Sequence, residues 1–163
     1  MKKYLIIMIF GLFTINSNSQ CKLEKSIDKF NNSITFDTKK ENVGKNFSNL
    51  KMKVTKTIKE GKSFYVLIFD NLPTGCNSSK SYVQFLFENK ESIKLNYSTS
   101  VSMIKCGVNY MIISITEEEI GVLLKNKITD IRVKNDSDTD YSVDEKHIIS
   151  IHNLMNCILQ AKE

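Results

Sequence analysis

The chain has 163 residues, 41% of them hydrophobic and 25% charged, with six glycines and one proline, Pro73. This composition excludes collagen, coiled-coil rods and wholesale disorder and leaves a packed globular domain. The formal net charge is +5, from 23 basic and 18 acidic residues, yet Arg132 is the only arginine and tryptophan is absent. No basic run exceeds a pair, so the chain lacks the clustered phosphate-reading surface of a nucleic-acid binder.

Residues 1–19 read as a signal peptide. Lys2 and Lys3 precede an apolar run from Leu5 to Phe13, and Ser17 and Ser19 supply small side chains before a cut ahead of Gln20. The run is shorter than the roughly 20 residues of a bilayer span, so no stable membrane span remains after cleavage. The expected mature chain, residues 20–163, is a single β-rich domain of 144 residues; losing two lysines and no acid lowers its charge to +3. The expected location is secreted or periplasmic. A lipid anchor on Cys21 is the alternative, with Gln20 standing where a small residue should precede a lipidated cysteine.

An exported chain meets an oxidising compartment, and Cys21, Cys76, Cys106 and Cys157 then form two disulfides. Four cysteines allow three pairings. Strand parity favours one of them. If the strand from Phe64 to Asp70 runs up, those from Tyr82 and from Ile93 run down and up, and the connections holding Cys76 and Cys106 share one end of the sheet. Cys21 is left for Cys157. In the chain-entropy account, loops of about 30 and about 136 residues are worth roughly 3.5 and 5 kcal/mol. No Cys-x-x-Cys is present, and neither His147 nor His152 stands at a metal-ligand spacing from a cysteine.

Along the mature chain, Ser33 to Thr38 reads as an edge strand, followed by a polar connection over Lys39 to Asn49. Leu50, Met52 and Val54 then alternate with Lys51, Lys53 and Thr55, the period of a half-buried strand. The unbroken apolar run from Phe64 to Phe69 predicts a central strand covered on both faces. Asn71 to Lys80, with Pro73, Gly75 and Cys76, reads as a loop. Tyr82 to Phe87 and Ile93 to Tyr97 form a hairpin, and Tyr110 to Ile115 another strand.

Thr116-Glu117-Glu118-Glu119 is a capping box opening a short helix to about Lys125. A second hairpin, Ile128 to Val133 with Thr139 to Val143, precedes a final helix from Val143 to Ala161, whose Ile148, Ile151, Met155 and Ile158 form one apolar stripe. About eight strands with these helices predict a mainly β, α+β fold: an antiparallel sandwich or partly open barrel with the C-terminal helix packed on the sheet. A pleckstrin-homology-like barrel is the alternative.

The strongest chemical motif is Asp136-Ser137-Asp138-Thr139-Asp140, since alternate carboxylates are how loops wrap Ca²⁺. As an EF-hand it fails at the sixth and twelfth positions, Tyr141 and His147, where glycine and glutamate belong; a polar hairpin turn explains it. His147 and His152 flank the helix stripe, and no Gly-x-Ser-x-Gly elbow accompanies them. Consecutive Glu117, Glu118 and Glu119 splay apart on a helix and suit capping better than paired acid–base work. No glycine-rich phosphate cradle precedes a helix. Tyr82, Tyr97, Tyr110 and Tyr141 read as strand residues bordering the core. Lys51, Lys53, Thr55 and Thr57 form a polar outer strand face.

Gly75-Cys76, Cys106-Gly107, the helix start Thr116 to Ile120, the strand Lys127 to Val133 and Asn156-Cys157-Ile158 together give a layout that resembles small secreted proteins of the Bacteroidetes. The resemblance implies export, a β-rich fold and disulfides, and brings no catalytic residues, cofactor or metal with it. Two functions compete: an exported non-enzymatic module that binds a protein or envelope component, and a small hydrolase or Ca²⁺-dependent enzyme built on Asp136, Asp138 and Asp140.

Overall fold

The computed structural model describes residues 21–97 and 105–162. The signal-peptide reading of residues 1–19 lies outside them. Strands β1 (Leu23–Asp28) and β2 (Ser33–Thr38) form one hairpin, β3 (Glu41–Lys45) and β4 (Asn49–Lys59) the next. They are followed by β5 (Lys62–Asn77), β6 (Tyr82–Phe87), β7 (Ser92–Asn96) and β8 (Lys105–Ile115). Helix α1 (Glu117–Lys125) leads into the hairpin β9 (Ile128–Lys134) and β10 (Asp138–Ser142), and α2 (Glu145–Gln160) comes last.

All strand pairs are antiparallel, and β4 divides the sheet into two layers. On one edge its second half, Thr55 to Lys59, pairs with β2, while its first half, Asn49 to Met52, pairs with β3. From β2 the sheet continues to β1; from β3 it continues through β10, β9 and β6 to β7. The other edge of β4 carries β5, which in turn carries β8. The path does not close on itself, so this is the open antiparallel sandwich-like architecture and not the seven-stranded barrel. Ten strands replace about eight because β1 and β3 carry weak signals. β1 buries neither face. In β3 a bulge between Asn42 and Gly44 turns Val43 and Gly44 inward together and breaks the two-residue period.

The inner faces meet in one core, with Met52, Val54, Leu67, Phe69, Met111 and Ile113 from the first layer against Val83, Phe85, Leu95, Ile131 and Val133 from the second. The rings of Phe69 and Phe85 join the layers with centroids 6.3 Å apart. Each such side chain contributes about 1.5–3 kcal/mol by leaving water. The expectation that β5 is covered on both faces is corrected here. Tyr65, Leu67 and Phe69 are buried, but Phe64 is 54% exposed and Val66 and Ile68 are only half-buried on the outer face.

Strand β5 also continues through the segment expected to be a loop. Between Asp70 and Gly75 its register against β8 slips, Asn71 adopts a positive φ of 67°, and Pro73 sits inside this irregularity, where no ladder N–H is required. One pair, Gly75 opposite Val108, forms before the register shifts again to Asn77 opposite Lys105, on either side of the bond between Cys76 and Cys106.

The capping box of α1 is complete: Thr116 Oγ1 accepts from the Glu119 N–H at 3.2 Å, and Glu119 Oε2 accepts from the Thr116 N–H at 2.8 Å. Asn126 ends that helix, its Nδ2 donating to Val122 O at 2.9 Å. Helix α2 lies on β2, β3 and β4 through Ile151, Leu154, Met155 and Ile158. Its last turn holds no basic residue. Instead the buried Lys56 of β4 donates its Nζ to Ala161 O at 2.8 Å, placing a cation where the helix dipole is negative.

Candidate functional site

The Asp-rich turn joins β9 to β10, and its three carboxylates go to three different partners. Asp136 Oδ2 accepts from the Cys76 N–H at 2.8 Å. Asp138 pairs with Lys134 across the hairpin at 3.2 Å. Asp140 accepts from Arg132 Nε at 2.6 Å and from its terminal nitrogen at 2.8 Å, a bidentate pair between residues directly opposite in the ladder. The guanidinium holds the Asp140 carboxyl below the usual carboxylate range. Among the described residues no three His, Cys, Asp or Glu side chains converge as metal ligands. The turn's geometry is that of a hairpin neutralised by its own cations and docked on β5.

The histidines are divided in the same way. His147 is buried and serves as the third residue of α2, its backbone N–H donating to Asp144 Oδ1 at 3.1 Å and its ring Nδ1 accepting from the Asp144 N–H at 3.4 Å. It thus completes a capping box in the role usually given to glutamate or glutamine. The bond from the His147 N–H is also the main reason the Asp144 carboxyl titrates below the usual range. His152 lies on the same helix, with its Nε2 buried and unpartnered among the described residues. Glu117, from the capping trio, accepts from the Tyr65 hydroxyl at 3.0 Å.

Both disulfides join distant parts of the chain. Cys76 bonds to Cys106 at the adjoining ends of β5 and β8. Cys21 bonds to Cys157 of α2, a separation of 136 residues. The Cys21 sulfur can carry either this bond or a lipid thioether, so the disulfide and the anchored alternative exclude each other. Beside this bond a cleft of about 240 Å³ is lined by Lys22, Lys39, Glu41, Asn153 and Cys157 among others.

The strand expected over Ser33 to Thr38 is present as β2; the feature that sequence reasoning missed is β1, which pairs with it to form a ribbon. Every β1 residue except Leu23 is exposed. Ile27 is 62% exposed and Phe30, at the tip of the turn, 99%. Phe47, at the β3–β4 turn, is also fully exposed. Asp28 holds the β1–β2 turn by accepting from the Phe30 N–H at 2.9 Å and from Asn31 Nδ2 at 2.6 Å. These bonds, the Asn31 side chain first, hold its pKa below the usual carboxylate range. The only hint in the sequence is Asp28 followed by Phe30-Asn31-Asn32, a turn signature next to a bare aromatic.

Comparison of the chain with protein-family models, with curated proteins and with solved structures finds no match.

Proposed function

We propose that the protein is an exported, non-enzymatic module that binds a protein or envelope component through its β1–β2 ribbon. The observation that carries this reading is the placement of Ile27 and Phe30, two large apolar side chains left in water on β1, a strand that buries neither face, and on the turn that follows it. Exposed apolar side chains gathered on one element mark interaction surfaces. Two disulfides support an oxidising destination. The separate engagement of Asp136, Asp138, Asp140 and His147 in structural bonds supports binding over hydrolysis.

The test compares retention of envelope components by the mature protein and by an Ile27→Ser/Phe30→Ser variant, whose exposed positions leave the fold intact. The expected result is a component held by the wild-type protein and lost from the variant at unchanged melting temperature. Equal retention by both, or retention of nothing by the wild-type protein, contradicts the reading.

A further inference from the structure

The geometry points to the free edge of β1 as a docking edge for an extended polypeptide segment in which basic and apolar residues alternate. The inference rests on the binding role proposed above and names the surface and the partner's chemistry. Among the described residues β1 pairs with β2 alone, through six consecutive residues from Leu23 opposite Thr38 to Asp28 opposite Ser33, with no bulge. Among the described residues its other edge is unpaired and presents the N–H and C=O groups that are the template on which another strand adds.

A strand with so little burial should fray, but this one is fastened at both ends. Two residues before it, Cys21 is bonded to Cys157 of α2. At its far end the Asp28 carboxylate closes the turn through Phe30 and Asn31. A free edge held straight by a covalent bond is preorganised, and a partner strand then adds with little further ordering cost.

The occupant is not a second copy. Two-fold antiparallel pairing of β1 with itself has two registers that align five residues, centred on Lys25 and on Ser26. The first sets Lys25 opposite Lys25 of the other copy, and the second sets Glu24 opposite Asp28; like charges directly opposite disfavour both.

The face of β1 that carries Glu24, Ser26 and Asp28 is acidic. Glu24 lies directly across from Asp37, whose carboxylate is already taken by Lys53 at 3.0 Å and by the Thr55 hydroxyl at 2.5 Å. A lysine or arginine from an added strand fits beside Glu24 and relieves that like-charge pair. The opposite face carries Leu23, Lys25 and Ile27. Lys25 leans inward over the Phe36 ring at 5.5 Å, leaving the exposed Ile27 to meet an apolar side chain. Basic and apolar residues must therefore alternate in the segment that binds.

The experiment titrates the disulfide-intact mature protein with capped Val-Lys-Val-Lys-Val-Lys and, separately, with its Val-Glu counterpart, following backbone amides by NMR. The expected result is that the lysine peptide shifts the amides of Leu23–Asp28, that the glutamate peptide does not, and that Glu24→Lys weakens the lysine peptide about fivefold, the upper range for one exposed ion pair. Glu24→Lys keeps the fold, since it removes a repulsion with Asp37. Equal binding of the two peptides, shifts confined to other elements, or unchanged affinity in Glu24→Lys overturns the docking edge. If the edge fails while Ile27→Ser/Phe30→Ser still loses its envelope component, the ribbon's binding role stands without it.

Discussion

Gly75 of β5 and Asn135 of the β9–β10 turn are packed so closely that a Cβ on Gly75 would stand 2.6 Å from Asn135 Nδ2. That nitrogen donates to Pro73 O at 3.0 Å, and the neighbouring Asp136 accepts from the Cys76 N–H at 2.8 Å. The Asp-rich turn is thus seated on the end of β5, next to the Cys76–Cys106 bond, and Gly75 is the seat. Gly75→Ala should cost about 2 kcal/mol, as overpacking does. Asn135→Ala removes the atom in the way, so the double variant should lose less than the sum of the single losses in urea unfolding. Strict additivity would mean the seat does not exist.

The two disulfides should separate by what they hold. Cys21→Ala/Cys157→Ala frees the start of β1, a strand with no buried face, and should speed amide exchange over Leu23–Asp28 while β5 and β8 stay protected. Cys76→Ala/Cys106→Ala should do the reverse, loosening the ends of β5 and β8. Each loss of stability should lie within a few kcal/mol, the longer loop giving the larger value in the chain-entropy account. Uniform loosening in both variants would contradict this assignment.

Tyr141 is almost wholly buried, and its hydroxyl has no hydrogen-bond partner among the described residues. Burial pushes its pKa above the ordinary tyrosine value. The unfolded chain therefore loses this proton first, and the stability tied to the neutral phenol is lost as pH rises past about 10. Tyr141→Phe removes an unsatisfied polar atom and should leave the protein as stable or about 1 kcal/mol more stable at pH 7. It should also flatten the alkaline limb of the stability profile, although Tyr65, raised by burial and by Glu117, keeps part of it. A loss above 2 kcal/mol in Tyr141→Phe would show that the hydroxyl has a partner after all.

Calcium should leave the melting temperature unchanged, because Asp136, Asp138 and Asp140 are spent on Cys76, Lys134 and Arg132. A ligand that bound the folded chain alone would raise it in proportion to its occupancy. Differential scanning calorimetry with and without millimolar Ca²⁺ decides the matter; a rise of several degrees would restore the metal reading of the turn.

What was legible in the sequence is what local pattern encodes. Thr116 to Glu119 caps a helix by contacts within four residues, and Val83 and Phe85 meet Leu95 and Ile93 across a short hairpin. Strand parity brought Cys76 and Cys106 to one end; in the structure β5 and β8 are direct neighbours, which is a stronger reason for the same pair. Helix α2 starts at Glu145 behind the N-cap Asp144, two residues after the expected Val143, because histidine takes the role of the usual acid in its capping box. β1 was missed because a strand exposed on both faces leaves no apolar rhythm, and it is the element on which the candidate site depends. The seat of Asn135 on Gly75 joins residues 60 positions apart, and nothing in either segment alone announces it.

The most direct measurement of the binding account is amide hydrogen exchange on the mature, disulfide-intact protein, with and without an envelope fraction from the host. The account predicts added protection at Leu23–Asp28, absent in Ile27→Ser/Phe30→Ser, with exchange at Asp136–Asp140 unchanged. Protection centred on the Asp-rich turn, or none anywhere, would contradict it.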